Sequence, residues 1–521
     1  MGMHLSRRRF LAGAAAVGAT APLVGFGEPA CRPDSPPPLP PGLPSGLFTL
    51  GVASGDPLPT AVVLWTRLAP APLAGGGMPP ADVPVRWELA TDDAFRRVVR
   101  RGTVTASPQW GHSVHVDVER LHPSSWYHYR FIVGDEVSPT GRTRTAPPRG
   151  APRDRLRFLF GSCQNWQSGF WPLWAHAPAE DPDVVLHLGD YIYEGGAGIN
   201  VVRPHNSPEI RTLDEYRNRY GLYKGDPALQ GIHAACPWIV TWDDHEVENN
   251  YAALLPENPA EAPAFPARRA AAYQAWWEHQ PVRLPAPTGP DLAIHRAIDW
   301  GRLARFHVLD TRQYRSDQPC EGGDSGPTCD ERVAQSQTIL GAEQEAWIGA
   351  SLAGSRATWD VLANQVVMTA MPLAGGAFYN RDQWDGYAAA RTRLFEQMRA
   401  GGVENAVVLT GDIHAAGVGD LVDENPDGTP STVAVGTELV GSSISSNFDP
   451  ALADIAQQLI AALPHVPFAD TRHRGYMVCD VTPTELVTRL QVVDSVATPD
   501  QPVYTLGSWT TLAGTPGVQP A

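Results

Sequence analysis

The sequence predicts a mixed α+β/α/β chain: an N-terminal β-sandwich of immunoglobulin- or fibronectin-like type, then a larger α/β domain. Three observations carry that expectation. Short runs that alternate apolar and polar residues recur between positions 47 and 147, with Gly, Pro, Asp and Ser in the gaps. Beyond Arg155 the pattern changes to apolar runs of strand length that end in small polar or charged residues, with helical stretches between them. The length of 521 residues, 43% of them hydrophobic, allows two to four domains at roughly 100–200 residues each.

Residues 1–31 form an address. Ser6-Arg7-Arg8-Arg9-Phe10-Leu11 precedes a small-residue apolar run from Ala12 to Val24, and this resembles a twin-arginine export signal. The expected partner is therefore the twin-arginine translocase, and the expected location periplasmic or extracellular. Cys31 follows Glu28-Pro29-Ala30, a poor lipoprotein signature. The segment 32–46 is Pro-rich, hence extended and a linker.

The sandwich is expected over 47–147. Ala61-Val-Val-Leu-Trp65, Val85-Arg-Trp-Glu-Leu89, Val114-His-Val-Asp-Val118 and Tyr127-His-Tyr-Arg-Phe-Ile-Val133 read as its strands. Trp87 and the Trp126–Tyr129 segment are expected in its core. No chemistry-bearing residues converge here, so the domain reads as packing on an enzyme and positioning it.

The α/β domain is expected over 151–521. Leu156-Arg-Phe-Leu-Phe160 runs into Gly161-Ser-Cys163, and Val184-Val-Leu-His-Leu188 into Gly189-Asp190. Ile239-Val-Thr-Trp242 runs into Asp243-Asp244-His245, and Val407-Val-Leu-Thr410 into Gly411-Asp412-Ile413-His414. One strand ending in Asp is explained by turn formation or helix capping. Four ends carrying Cys, Asp, Asp-His and Asp-x-His point instead to a metal site along one sheet edge.

Those motifs carry a resemblance. Gly161-Ser-Cys-Gln164, His187-Leu-Gly-Asp-Tyr-Ile-Tyr-Glu194, Thr241-Trp-Asp-Asp-His-Glu-Val247, Leu309-Asp-Thr-Arg-Gln-Tyr-Arg315, Leu362-Ala-Asn-Gln365 and Thr410-Gly-Asp-Ile-His414 occur in order. The chain so resembles the PhoD-like alkaline phosphatases, within the calcineurin-like metallophosphoesterases. The resemblance implies a four-layer α/β/β/α catalytic domain, Fe(III) with Ca(II), and hydrolysis of phosphate mono- or diesters. Related sequences also make a phospholipase D-like phosphodiesterase the alternative within the enzyme class. Outside it, the alternative is a cell-surface binding protein with a structural metal site.

The chemistry supports that implication independently. Ester hydrolysis must mask negative oxygens, present a nucleophilic oxygen and protonate a leaving group, and paired metals accomplish the first two. Asp190 is the candidate bridging carboxylate, with Tyr193 three residues on. Cys163 and Tyr193 are donors that favour Fe(III) over Mg or Ca. Asp412 and His414 are placed to reach two ions, and Asp244 supplies an oxygen suited to calcium. Asn364 is a further metal candidate, or else a brace for its own loop. His245 matches the family histidine near substrate, as proton donor or charge stabiliser, or else as an orienter of a ligand.

The remaining features narrow the class. A formal charge of −16 argues against phosphate-backbone neutralisation as a main role, so no nucleic-acid partner is expected. No apolar run of about 20 residues lies beyond the leader, so no stable membrane span is expected. Cys320 and Cys329 flank a Gly-rich loop and are a plausible disulfide in an exported protein, while Cys236 and Cys479 sit in apolar contexts as buried thiols.

Overall fold

The structure, a computed structural model, describes residues 39–320 and 325–520. The expected leader and most of the linker lie outside the described residues. Two mixed sheets dominate. In the first, the parallel strands Leu156–Gly161, Val184–His187 and Trp238–Val240 pair in the registers Leu159↔Val185 and Val185↔Trp238. Every residue of the last two is buried, which is why they read as unbroken apolar runs and not as alternating ones. Arg474–Val481 adds antiparallel beside Leu156–Gly161, and Glu485–Val493, Tyr504–Leu512 and Thr515–Pro520 extend that side.

The second sheet has seven strands. Ala304–Val308, Trp359–Ala363, Ala406–Thr410 and Pro430–Val440 run parallel in sequence at its centre. Between the sheets lies one core, in which Phe158, Phe160 and Leu186 meet Phe306, Val361 and Val407. Phe158 and Phe306 pack edge to face at 5.5 Å, an arrangement worth about 0.5–1.5 kcal/mol beyond its buried area. A second core joins the outer face of the first sheet to the helices Leu213–Lys224, Pro227–Ala235 and Phe265–His279, with Trp238, Trp242 and Trp276 at its centre. A third joins the second sheet to the helices Gly341–Ala353 and Ala388–Ala400.

Local signals set the helix limits. Glu215 accepts the Thr212 N–H at 2.8 Å at the head of Leu213–Lys224, and the Asp226 carboxylate accepts Ala228 N–H at 2.9 Å ahead of Pro227–Ala235. Trp276 and Trp277 share the helix Phe265–His279 and are buried, as expected.

The N-terminal region departs from the expected picture in one respect. Val83–Ala90, Val98–Ala106, Trp126–Val133, Glu136–Val137 and Gly141–Arg144 form a separate five-stranded sheet. The strands facing it, Val52–Leu58, Ala61–Arg67 and Ser113–Val118, are the far edge of the first sheet, joined through Gly55↔Trp238. One ten-stranded sheet thus serves both halves of the molecule. Tyr127 and Tyr129 enter the sandwich core. Trp87 is half-buried against it, and Trp126 turns away from it, with the Arg142 guanidinium over its ring at 3.5 Å.

Cys320 and Cys329 form a disulfide, and Cys236 and Cys479 are buried thiols. Among the described residues no helix is long and apolar enough to cross a membrane.

Candidate metal centre

The parallel strands of both sheets end at the same edge, and there the candidate residues meet. Three overlapping groups result: Cys163, Asp190 and His414; Asp190, Asp244 and His245; and Asp243, Asp244 and Asp412. Within each, the potential ligand atoms lie within 4.8 Å of one another. Asp190 and Asp244 each belong to two groups, so the set forms a chain of adjoining pockets.

The backbone is bent to achieve this. Cys163 (φ 56°), Asp190 (φ 55°), Asp412 (φ 62°) and His414 (φ 54°) all occupy the left-handed region. Such residues cost of order 1–3 kcal/mol each and persist where surrounding structure over-determines them. Here the exit loops are tied together. Cys163 N–H donates to Gly189 O at 3.2 Å, Gln164 N–H to Asp190 O at 3.1 Å, and Ser446 N–H to Cys163 O at 3.1 Å. The fully buried Glu246 carboxylate accepts from Asp190 N–H (3.1 Å), Tyr191 N–H (2.6 Å) and Asp243 N–H (2.9 Å), fastening two loops with one side chain.

Tyr193 sits at the centre of the first group. Its hydroxyl donates to Asp190 Oδ2 at 2.8 Å and lies 3.1 Å from His414 Nε2 and 2.7 Å from Ser446 Oγ. His414 Nδ1 is 3.1 Å from the Asn447 carbonyl. A carbonyl only accepts, so Nδ1 carries the hydrogen and Nε2 presents its lone pair to the centre. Burial, followed by the Asp190 charge, pushes the Cys163 thiol and the Tyr193 phenol well above their ordinary range. A cation among them would reverse that direction.

The second side is strongly acidic. Arg312, fully buried, contacts Asp243, Asp382 at 2.8 Å, Asp412 at 3.1 Å and Asp244 at 3.7 Å. Burial raises the Asp190 and Asp243 carboxyls, and it raises Asp412 to about 7. Burial acts upward on Asp244 too, but the Arg312 and His245 charges outweigh it and hold this carboxyl below the usual range. Like charges at about 4 Å repel by roughly 4 kcal/mol at an effective dielectric of 20. Further positive charge is needed here. Asp190 Oδ1 and Asp243 Oδ2 are buried without a hydrogen-bond partner among the described residues.

His245 projects into the middle group. Its Nδ1 is 2.7 Å from Glu194 Oε2, while Glu194 Oε1 accepts Asn249 N–H at 2.9 Å. Burial opposes the charged ring, but Glu194, Asp244 and Asp190 together raise His245 well above the ordinary histidine value.

Seven of the eight candidate residues therefore converge: Cys163, Asp190, Tyr193, Asp244, His245, Asp412 and His414. Asn364 has a different setting. Its amide carbonyl accepts Trp384 Nε1–H at 3.2 Å, and its amino group donates to Val366 O and Thr410 Oγ1. Both ends of this side chain brace the loop. Arg283 ties to Asp56 and Asp117, and Arg315 to Asp382. Sequence reasoning assigned no role to Asp243, Glu194, Glu246 or Arg312. All four lie inside the motifs that carry the resemblance, and Asp243 and Glu246 flank the assigned pair Asp244-His245, which is the available signal.

Comparison with known proteins identifies the family. A family model described as PhoD-like phosphatase matches residues 158–490, and one described as PhoD-like phosphatase, N-terminal domain, matches 40–147. Alkaline phosphatase D of Bacillus subtilis (strain 168) is 46% identical over 473 residues, covering 89% of this chain and 80% of that protein. A solved structure of PhoD superposes with a TM-score of 0.87 at 43% identity, covering 92% of this chain and 93% of that one. The chain belongs to the PhoD-like phosphatase family.

Proposed function

We propose that the protein is an exported, metal-dependent phosphoesterase that hydrolyses phosphate mono- or diesters. One observation carries the reading. In a phosphatase-family chain, buried carboxylates with unpartnered oxygens line the edge where two sheets deliver their strand ends. The donor set fits the metals the sequence implies. Cys163, Asp190, Tyr193 and His414 would hold Fe(III), since thiolate and phenolate donors suit it. Asp190, Asp244 and Asp412 would hold Ca(II), which takes oxygen donors, with Asp243 adjoining them. When bound, these ions supply positive charge that neutralises phosphoryl oxygens and acidifies water.

The chain's own groups would do the rest. Glu194 fixes the His245 ring, leaving Nε2 free to donate a proton to a leaving oxygen or to stabilise phosphate charge. Glu246 holds the loops through their backbone N–H groups, and Arg312 offsets the crowding of carboxylates. The same reading takes residues 1–31 as the twin-arginine leader, 32–46 as linker, 47–147 as an immunoglobulin-like sandwich and 151–521 as an α/β/β/α catalytic domain. The core between the sheets and the two helix-covered outer cores support that layering. The twin-arginine translocase and a periplasmic or extracellular location follow from the leader.

The test is hydrolysis of p-nitrophenyl phosphate and bis(p-nitrophenyl) phosphate, with elemental analysis of the same sample. Turnover that falls with EGTA and returns with calcium is expected. Iron- and calcium-replete protein that cleaves neither ester would overturn the assignment.

A further inference from the structure

The loops on the Cys163 and His414 side of the centre are drawn together by a side chain that the chemistry above does not use. Arg474 opens the strand Arg474–Val481 and is buried. Its Nη1 donates to His414 O at 2.8 Å, Ser446 O at 2.6 Å and Ser443 Oγ at 3.1 Å, and its Nη2 donates to Thr471 O at 2.9 Å. Two of these acceptors lead straight to donors of the proposed iron set. His414 holds its left-handed bend, φ 54°, with its carbonyl on Arg474. The Ser446 hydroxyl lies 2.7 Å from the Tyr193 hydroxyl and donates to Cys163 O at 2.8 Å. Asn447, next in the chain, supplies the carbonyl that faces His414 Nδ1. One guanidinium therefore fixes the backbone from which Cys163, Tyr193 and His414 are all held.

Its charge is as informative as its bonds. Arg312, on the acidic side, meets four carboxylates, whereas Arg474 pairs with none among the described residues. Burial lowers the Arg474 guanidinium to about 10, and it stays charged at neutral pH. The groups whose negative forms favour that charge are Asp470 and then Cys163. Asp470 is engaged with His473 at 3.0 Å. A buried cation is costly unless a negative group lies close. A thiolate at Cys163 is such a group, and a bound metal ion would create it.

We propose that Arg474 is a positioning residue of the iron side, setting the His414 and Ser446 loops by their carbonyls and supplying a fixed positive charge beside the Cys163 thiolate of the loaded protein. The proposal rests on the donor assignment made under the phosphoesterase reading, and the experiment separates the two.

Arg474→Lys keeps the charge and gives up the planar fork, while Arg474→Gln keeps an N–H donor and gives up the charge. Native protein and both variants are loaded with Fe(III). Competition with a chelator gives the iron affinity, and spectroelectrochemistry gives the Fe(III)/Fe(II) midpoint. Both variants disturb the carbonyl contacts and are expected to bind iron about 10–100-fold more weakly. A nearby positive charge disfavours the higher oxidation state, so the midpoint is expected to fall in Arg474→Gln and to stay near native in Arg474→Lys. Ser446→Ala leaves the guanidinium in place and removes only the hydroxyl that reaches Tyr193, so weaker iron binding with a native midpoint is expected there. Native iron affinity in both Arg474 variants would overturn the proposal, as would one midpoint shared by Arg474→Gln and Arg474→Lys. Iron- and calcium-loaded native protein that cleaves neither p-nitrophenyl phosphate nor its bis ester would instead sink the phosphoesterase reading and leave the iron measurements standing.

Discussion

At the scale of single residues, the site separates groups that hold charge from groups that place it. Asp190 belongs to two of the three ligand clusters, and its side chain carries an oxygen without a hydrogen-bond partner among the described residues. In Asp190→Asn a neutral amide replaces the charge that would offset the proposed cations. Loss of bound metal and of essentially all turnover is expected, read by elemental analysis alongside kcat. His245→Ala should be milder, because a positioned acid contributes about 10²–10⁴ in rate and p-nitrophenolate leaves with little protonation. Metal content near normal, measurable turnover of p-nitrophenyl phosphate and a larger loss on an alkyl ester are the expected signs. Equal losses on both esters with metals intact would assign His245 to charge stabilisation alone. Glu194→Gln tests the support behind that histidine. The amide still reaches His245 but no longer stabilises its charge, so a loss of about 10–100-fold in kcat is expected with KM little changed. An unchanged kcat would remove Glu194 from the positioning role.

At the scale of elements, the exit of strand Val184–His187 is a point of close backbone approach. Gly189 has φ 111°, and a Cβ there would meet Asp243 Cβ and N at 2.5 Å. Gly189→Ala therefore strains the backbone and drives two ligand-bearing loops apart. A stability loss of about 2 kcal/mol or more is expected, together with weakened metal binding, read from urea midpoints and calcium titration. A variant with native stability and affinity would contradict the close approach. The strand exits themselves were legible in the sequence. Doubly buried strands leave unbroken apolar runs, and Gly189-Asp190, Asp243-Asp244-His245 and Gly411-Asp412 stand at their ends. What period and spacing do not encode is pairing at a distance. An apolar run of strand length marks Ala61–Arg67 as a strand, but nothing in its own residues says that its sheet continues into Trp238–Val240. Glu246 and Arg312 were obscure for the same reason. Their roles lie in backbone N–H groups and carboxylates contributed by remote segments. Asn364 shows the converse, since its motif is real and its side chain is taken up by Val366, Thr410 and Trp384.

At the scale of the whole molecule, many polar groups are buried where the halves join. His115, from the N-terminal strands, stacks on Trp277 at 4.2 Å and lies 2.9 Å from the Gln280 carbonyl. Burial lowers its pKa to about 4, against about 6.5 in an unfolded chain. The unfolded state thus binds the proton first. Stability is complete above pH 6.5 and declines as pH falls towards 4, by up to about 1.4 kcal/mol per unit. Between pH 6.5 and 5, native protein should lose about 1.5 kcal/mol more than His115→Gln, which keeps a donor near Gln280 and has no such titration. Parallel urea curves for the two proteins at both pH values provide the check, and equal acid losses would exclude His115 as a contributor. The shared ten-stranded sheet also sets a timetable for biogenesis. Val52–Leu58 must wait for Trp238–Val240, and Leu156–Gly161 for Arg474–Val481. A ribosome has therefore made nearly the whole chain before its first catalytic strand acquires both neighbours. Folding follows synthesis instead of accompanying it, and for that interval the unfinished edges depend on the cell to keep them from other chains.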